Sequence, residues 1–180
     1  MRKLVESTFV TLDGMIDEPQ RWSAPYWDDQ HFAYARSLLF AADALLLGRK
    51  TYEGFASSWP QRSGDDYTDR INAMTKFVAS RTLRDATWNA TVLEGDVAQA
   101  VATLKQDGDG TILKFGTGEL DRTLLAQGLV DEFHFWLFPV VVGAGERLFE
   151  WLDVMTTLRL LGTTTFDSGI VVLRYGPKSE

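Results

Sequence analysis

The sequence contains no cysteine. That absence excludes disulfides, thiolate nucleophiles and cysteine-ligated zinc together, and it fits a reducing cytoplasm, the expected compartment. Histidine is scarce as well. His31 and His134 are the only imidazoles, and two such distant residues make a poor metal constellation, so no metal is expected. No segment approaches the ~18 uninterrupted apolar residues of a membrane helix, and MRKLVESTFV at the start lacks the apolar run of a signal peptide. A formal charge of −7 repels phosphate backbones. It argues against nucleic acid as a general partner while leaving room for a local cationic pocket that takes one phosphate.

What is present reads as a globular chain: hydrophobic residues are 45% and charged residues 24%, values that a disordered segment does not reach. With 180 residues and no repeat, low-complexity tract or linker, one domain over residues 1–180 is the expected organisation. Residues 4–12 are rich in β-branched side chains and end at Asp13-Gly14, a turn signal, so they predict a strand. Residues 16–25 predict a loop marked by Pro19 and Pro25. Residues 27–42 predict a helix on the spacing of Phe32, Ala35, Leu39 and Ala42. Residues 44–47 follow as a short buried strand, with a helix restarting near Thr51. Residues 56–69, carrying Trp59-Pro60 and Gly64, predict a long loop or partly helical excursion, a common place for function.

Further along, residues 76–80, 91–93 and 111–115 predict strands. A helix carries Val97, Val101 and Leu104, and another starts at Leu120 and stops at Gly128. Residues 132–139 and 140–142 predict a very apolar extended stretch. Phe133, Phe135 and Leu137 face one side and His134, Trp136 and Phe138 the other, as in a strand covered on both faces. Residues 158–165 and 170–175 flank Phe166-Asp167-Ser168-Gly169 as a final hairpin. Strands alternating with helices, closed by antiparallel strands, predict an α/β fold: a mixed, mainly parallel sheet with helices on both faces.

Three segments share one form, a buried strand ending in glycine, cations or hydroxyls. They are Gly48-Arg49-Lys50-Thr51, Ser80-Arg81-Thr82 and Gly116-Thr117-Gly118-Glu119-Leu120. Ligands of open α/β sheets bind beyond the carboxyl ends of parallel strands. Gly116 and Gly118 allow a pyrophosphate to approach the backbone, and the following helix would aim N–H groups at it; a plain tight turn explains them equally well. Arg49, Lys50, Ser80 and Arg81 suit a monoester phosphate, against the alternative of ordinary surface charge. Together with the glycine segment they favour an adenosine 2′-phosphate, hence NADPH over NADH. Asp28 shares a helical stripe with Phe32, Ala35 and Leu39. Either it borders a pocket and delivers a proton, or it caps the helix. Trp22, Trp27 and Trp59 would stack on a planar ring or pack in the core. Lys114 and Asp121 carry no distinctive signal.

These segments, in this order, resemble the dihydrofolate reductase superfamily, and most closely the reductase domain of bacterial riboflavin biosynthesis and its stand-alone relatives. The resemblance runs from Thr8-Phe9-Val10-Thr11-Leu12-Asp13-Gly14, through residues 42–53 and 76–83, to residues 116–120, 125–132, 139–145 and Arg147-Leu148-Phe149. It implies hydride transfer from NADPH to a pterin, pyrimidine or related small heterocycle, a three-layer dihydrofolate-reductase-like fold and a homodimer. It also implies a residue assignment. Arg49, Lys50, Thr51, Ser80 and Arg81 would hold the adenosine phosphate and pyrophosphate beside Gly48. Gly116, Thr117, Gly118, Glu119 and Leu120 would contact the diphosphate and nicotinamide side. Asp28 would be the acid and Phe32 the aromatic of the substrate site, with Trp59 nearby. The interval from Asp28 to Gly48 is about one helical turn (~3.6 residues) longer than in true dihydrofolate reductases, and residues 56–69 fall where substrate-tail contacts belong. No His-x-Glu…Pro-Cys-x-x-Cys signature of a deaminase is present. The alternative function is a nucleotide-binding module or dimeric scaffold without turnover.

Overall fold

Apolar, β-branched runs supply the strands. In the computed structural model, which describes residues 1–178, these are β1 (Lys3–Thr11), β2 (Ala44–Gly48), β3 (Thr75–Ala79), β4 (Ala90–Val92), β5 (Thr111–Phe115), β6 (Glu132–Phe138), β7 (Leu158–Thr165) and β8 (Val171–Pro177). The helices are α1 (Asp29–Ala41), α2 (Arg49–Ser58), α3 (Asp66–Ala73), α4 (Val97–Gln106) and α5 (Glu119–Ala126). All eight strands join one sheet in the order β4-β3-β2-β5-β1-β6-β8-β7. The pairs from β4 to β6 are parallel, and β8 and β7 add antiparallel. Parallel neighbours need crossovers; helices supply them except between β3 and β4, which a loop joins, and both faces of the sheet are covered.

Alternation along each strand divides the core. Leu45 and Leu47 of β2 face Leu39, Tyr52 and Ile71 of α1, α2 and α3, together with Met74. Leu46 faces the opposite way, with Val101 of α4 and Leu124 of α5. β6 behaves as expected of a strand covered on both sides: Phe133 and Phe135 join the Leu46 layer, whereas Trp136 and Phe138 pack with Phe166, Ile170 and Val172.

Several expectations are corrected. The helix expected over residues 27–42 begins at Asp29, because the Asp28 carboxylate caps it. Residues 16–25 hold two 3-10 turns, Pro19–Arg21 and Ala24–Tyr26. The second helix starts at Arg49, with Gly48 as its cap, and not near Thr51. The excursion at 56–69 is mostly helical: α2 runs to Ser58, a 3-10 turn covers Trp59–Gln61, and Asp65 opens α3 by accepting the Thr68 N–H at 2.9 Å. Pro60 fits because the first turn of a helix does not use its missing N–H. Residues 140–142 leave the sheet after Phe138. The apolar stretch at 133–138 lies between β1 and β8, so it is core and gives no support to a dimer surface. No helix among the described residues is long and apolar enough to cross a membrane.

Leu46 has no solvent exposure and sits on β2, one of the two central strands of the parallel array. Leu46→Ala is expected to destabilise the fold by about 2–5 kcal/mol through lost transfer energy and an unfilled cavity. Urea unfolding measures it, and a loss under about 0.5 kcal/mol would contradict this packing.

Candidate functional site

Because β3, β2, β5 and β1 are neighbours and parallel, their carboxyl ends open on one edge. A cleft of about 1790 Å³ lies there, larger than the roughly 300–1,000 Å³ of a drug-sized site. It brings together the three strand-end segments. Gly48, Arg49, Lys50 and Thr51 line it, as do Ser80, Arg81, Gly116, Thr117, Gly118, Glu119 and Leu120, together with Phe32 and Trp59.

Local chemistry explains each arrival. β2 passes into α2 at Gly48 without a connecting loop, so Arg49 and Lys50 stand on the first turn at the cleft edge. Arg49 donates to the Thr82 hydroxyl at 2.5 Å and pairs with Glu53 at 3.2 Å. The Ser80 hydroxyl accepts the Thr82 and Leu83 N–H groups at 3.2 and 3.0 Å, closing the turn after β3. Arg81 makes no hydrogen bond or ion pair to any described residue and is exposed. Lys50 reaches across to Glu146 at 3.2 Å, in the segment that follows β6. It therefore links the two sides of the cleft through an exposed ion pair.

The turn after β5 needs glycine at one position. Gly116 has φ +75°, and a side chain there would meet the Thr51 hydroxyl at 3.4 Å. Gly118 has an extended backbone, and nothing stands within 4 Å of a Cβ built on it, so the space over it is open for a ligand. Its N–H is already taken, by Asp121 at 2.7 Å, which corrects the idea that every N–H of this turn awaits an anion.

With this geometry in hand, comparison with known proteins is decisive. The family model of the RibD C-terminal domain matches residues 2–172. The chain belongs to the RibD C-terminal domain family. It is 31% identical over 173 residues to the uncharacterized protein YwjB of Bacillus subtilis (strain 168), covering 94% of this chain and 95% of that one. Among solved structures, a putative riboflavin biosynthesis protein from Shewanella sp. PV-4 superposes with TM-score 0.78 at 19% identity, covering 98% of this chain and 99% of the other. Dihydrofolate reductase from Enterococcus faecalis, complexed with NADP(H) and RAB-propyl, superposes with TM-score 0.65 at 16% identity, covering 98% and 97%. These structural likenesses establish a dihydrofolate-reductase-like fold.

In this RibD-family cleft the acid expected at Asp28 is elsewhere. Asp28 is the cap of α1, its Oδ1 accepting the His31 N–H at 2.8 Å, and it is not part of the cleft wall. The capping alternative is the one found. The α1 residues that reach the cleft include His31, Phe32 and Ala35. His31 is 5% exposed and its ring sits among Phe9, Trp27, Phe32 and Trp136 at 5.0–5.6 Å between centroids. Its Nδ1 is buried without a partner. Burial pushes the imidazole down to about 4, with the Asp28 carboxylate opposing, so the ring is neutral at physiological pH. Phe32 is 56% exposed. Trp59 packs against Phe55 and Tyr67 and carries the Arg62 guanidinium over its ring at 4.9 Å.

Glu6, Lys114 and Asp121 were not anticipated. They form a fully buried charged cluster against the glycine turn. A signal for them existed: LVES and TILKF each place a charge inside an otherwise apolar strand, which is costly unless partnered.

His31 sets a stability test. Its depressed value means that the unfolded chain binds a proton the folded chain refuses between about 6.5 and 4. The contribution is whole above that window and is lost as pH falls through it. Wild type is expected to lose about 2 kcal/mol more than His31→Phe between about pH 7 and about pH 4.5. Urea unfolding across pH reads this; equal slopes for the two proteins would contradict it.

Proposed function

We propose that the chain is an NADPH-dependent reductase that adds hydride to a C=N or C=O bond of a small heterocycle of pterin or pyrimidine type. One observation carries the reading: Arg49, Arg81 and Gly116, from three different strand ends, line a single cleft. The volume of about 1790 Å³ suits a dinucleotide with a small ring beside it. Membership of the RibD C-terminal reductase family supports the class of reaction. The reduced nicotinamide supplies the hydride. The chain's own part is to hold and orient. Arg49 and Arg81 offer planar donors to the 2′-phosphate, and Ser80 adds a hydroxyl. Thr51 and the open backbone at Gly116 and Gly118 receive the diphosphate side. Phe32 and Trp27 offer aromatic faces to a planar substrate, with the neutral His31 ring as their polar partner.

Titration of intrinsic tryptophan fluorescence with NADPH and NADH tests the reading. NADPH is expected to quench at lower concentration. Arg49→Ala and Arg81→Ala are each expected to weaken NADPH about tenfold or more, as the loss of a charge-assisted hydrogen bond implies, with little effect on NADH. Equal, weak responses to both dinucleotides would remove the proposal. Tight NADPH binding with no reduction across a panel of pterins and pyrimidines would favour a nucleotide-binding module without turnover. The same reading takes the chain as a cytoplasmic homodimer, which sedimentation showing a monomer at micromolar concentration would contradict.

A further inference from the structure

The register of β1 on β5 sets Glu6 opposite Lys114, and Asp121, in the first turn of α5, closes the group. Their side chains are 0%, 2% and 0% exposed. The Lys114 ammonium stands 2.8 Å from Asp121 Oδ2 and 3.5 Å from Glu6 Oε2 and also donates to the Gly116 carbonyl. The Thr117 hydroxyl donates to Glu6 Oε1 at 2.5 Å and lies 2.7 Å from the Thr8 hydroxyl.

Among the described residues, one cation, Lys114, faces two carboxyl groups, Glu6 and Asp121. An uncompensated charge in this interior costs several kcal/mol, so neutrality calls for one proton. Its place is marked. Glu6 Oε2 and Asp121 Oδ1 are buried oxygens that accept no hydrogen bond, and both carboxyl groups pair with the same Lys114 ammonium. A single proton on this pair makes the cluster neutral and turns one of these oxygens into a donor. Burial pushes the Glu6 carboxyl well above its ordinary value; Lys114 opposes this and Asp121 reinforces it.

We infer that Glu6 and Asp121 share one proton at neutral pH and that the Thr117 and Thr8 hydroxyls connect this proton to the floor of the cleft. Thr8, Lys114, Thr117 and Asp121 reach the cleft wall, and Glu6 stands behind them. As a source of protons for reduction, the pair rests on the function proposed above. There, Arg49, Arg81 and the Gly116–Gly118 turn would hold the reduced nicotinamide dinucleotide, which would supply the hydride that forms the new C–H bond on the substrate carbon. The π pair of the C=N or C=O bond moves to nitrogen or oxygen, which takes a proton from a threonine hydroxyl. That hydroxyl is refilled by Glu6 Oε1, the oxygen that meets Thr117, after the carboxyl group rotates to bring its O–H there. Glu6 is left as a carboxylate beside Lys114 until water returns the proton. The nicotinamide ends oxidised and the substrate reduced.

Infrared spectroscopy at neutral pH reads the stored proton without any substrate. The wild-type spectrum is expected to contain a protonated-carboxyl carbonyl band that Glu6→Gln removes. On transfer to deuterium oxide that band should shift, and it should shift about tenfold more slowly, a barrier increase of about 1.4 kcal/mol, when Thr8 and Thr117 are both replaced by valine. A spectrum in which Glu6→Gln removes no band overturns the shared proton. Exchange at the wild-type rate in the double valine variant overturns the connection. Carbon-13 NMR of wild type, labelled at glutamate carboxyl carbons, makes the first test independent of any variant. One resonance should hold its protonated position from about pH 5 to about pH 7, above the ordinary glutamate value of ~4.3, and its absence overturns the inference. NADPH titrations on the same samples separate the two readings. No response to NADPH sinks the reductase and leaves the band to decide the proton; a response with no band does the reverse.

Discussion

Parallel pairing of β3, β2, β5 and β1 is the constraint on which the site depends. In a parallel array every strand ends on the same edge, and each connection must cross back over the sheet. Four neighbours about 4.8 Å apart spread their ends over roughly 14 Å. Backbone geometry alone therefore distributes Arg81, Arg49, Gly116 and Thr8 along one cleft. The antiparallel β8 and β7 lie beyond β6, away from the strands that carry the phosphate-type residues. Their role is to cover Trp136 and Phe138, which back the aromatic wall around His31.

Charge is the second constraint. A chain with a formal charge of −7 places cations at two adjacent strand ends and holds them loosely. Arg49 and Lys50 pair with Glu53 and Glu146, and both of those partners are partly solvated. Such exposed pairs are worth little, at most about 1 kcal/mol, so these cations are held only weakly by their carboxylate partners. Below the surface the logic reverses. Lys114 and Asp121 grip the Gly116 carbonyl and the Gly118 N–H directly, and removing Lys114 leaves two buried carboxyl groups without a cation. The turn that meets the ligand is thus fixed from behind and open in front.

Much of this was legible in the sequence because the strand-end segments are local. A buried run followed by glycine or arginine needs no knowledge of partners, and all three such segments reach the cleft. The failures have specific causes. Asp28 matched a helical stripe by spacing, but an aspartate before the first helical residue takes the cap, where its oxygen meets a free N–H; the stripe argument applies only inside the helix. His31, three residues on, carries the inward direction instead. Gly64 and Pro60 look like breakers, yet each falls at a helix boundary, so the 56–69 segment is more regular than its composition suggests. Glu6 and Lys114 lie 108 positions apart, and only the β1–β5 register makes them neighbours. Period-two reasoning assigns a face to each residue but does not say which strand lies alongside.

The two faces of β1 then divide the chemistry. Ser7 and Phe9 point toward Trp136 and the His31 pocket, whereas Glu6 and Thr8 point toward Thr117 and α5. On the first face the titratable group is an imidazole held neutral by burial, its value near 4. A neutral ring of that kind orients a planar substrate through one nitrogen, but it is too weak a base to carry a spare proton at pH 7. On the second face, one residue away along the same strand, a lysine and two carboxyl groups need a proton to be neutral. The neutral imidazole and the carboxyl pair are therefore separated by the thickness of a single strand. A substrate seated over the end of β1 meets both without either group having to serve two purposes.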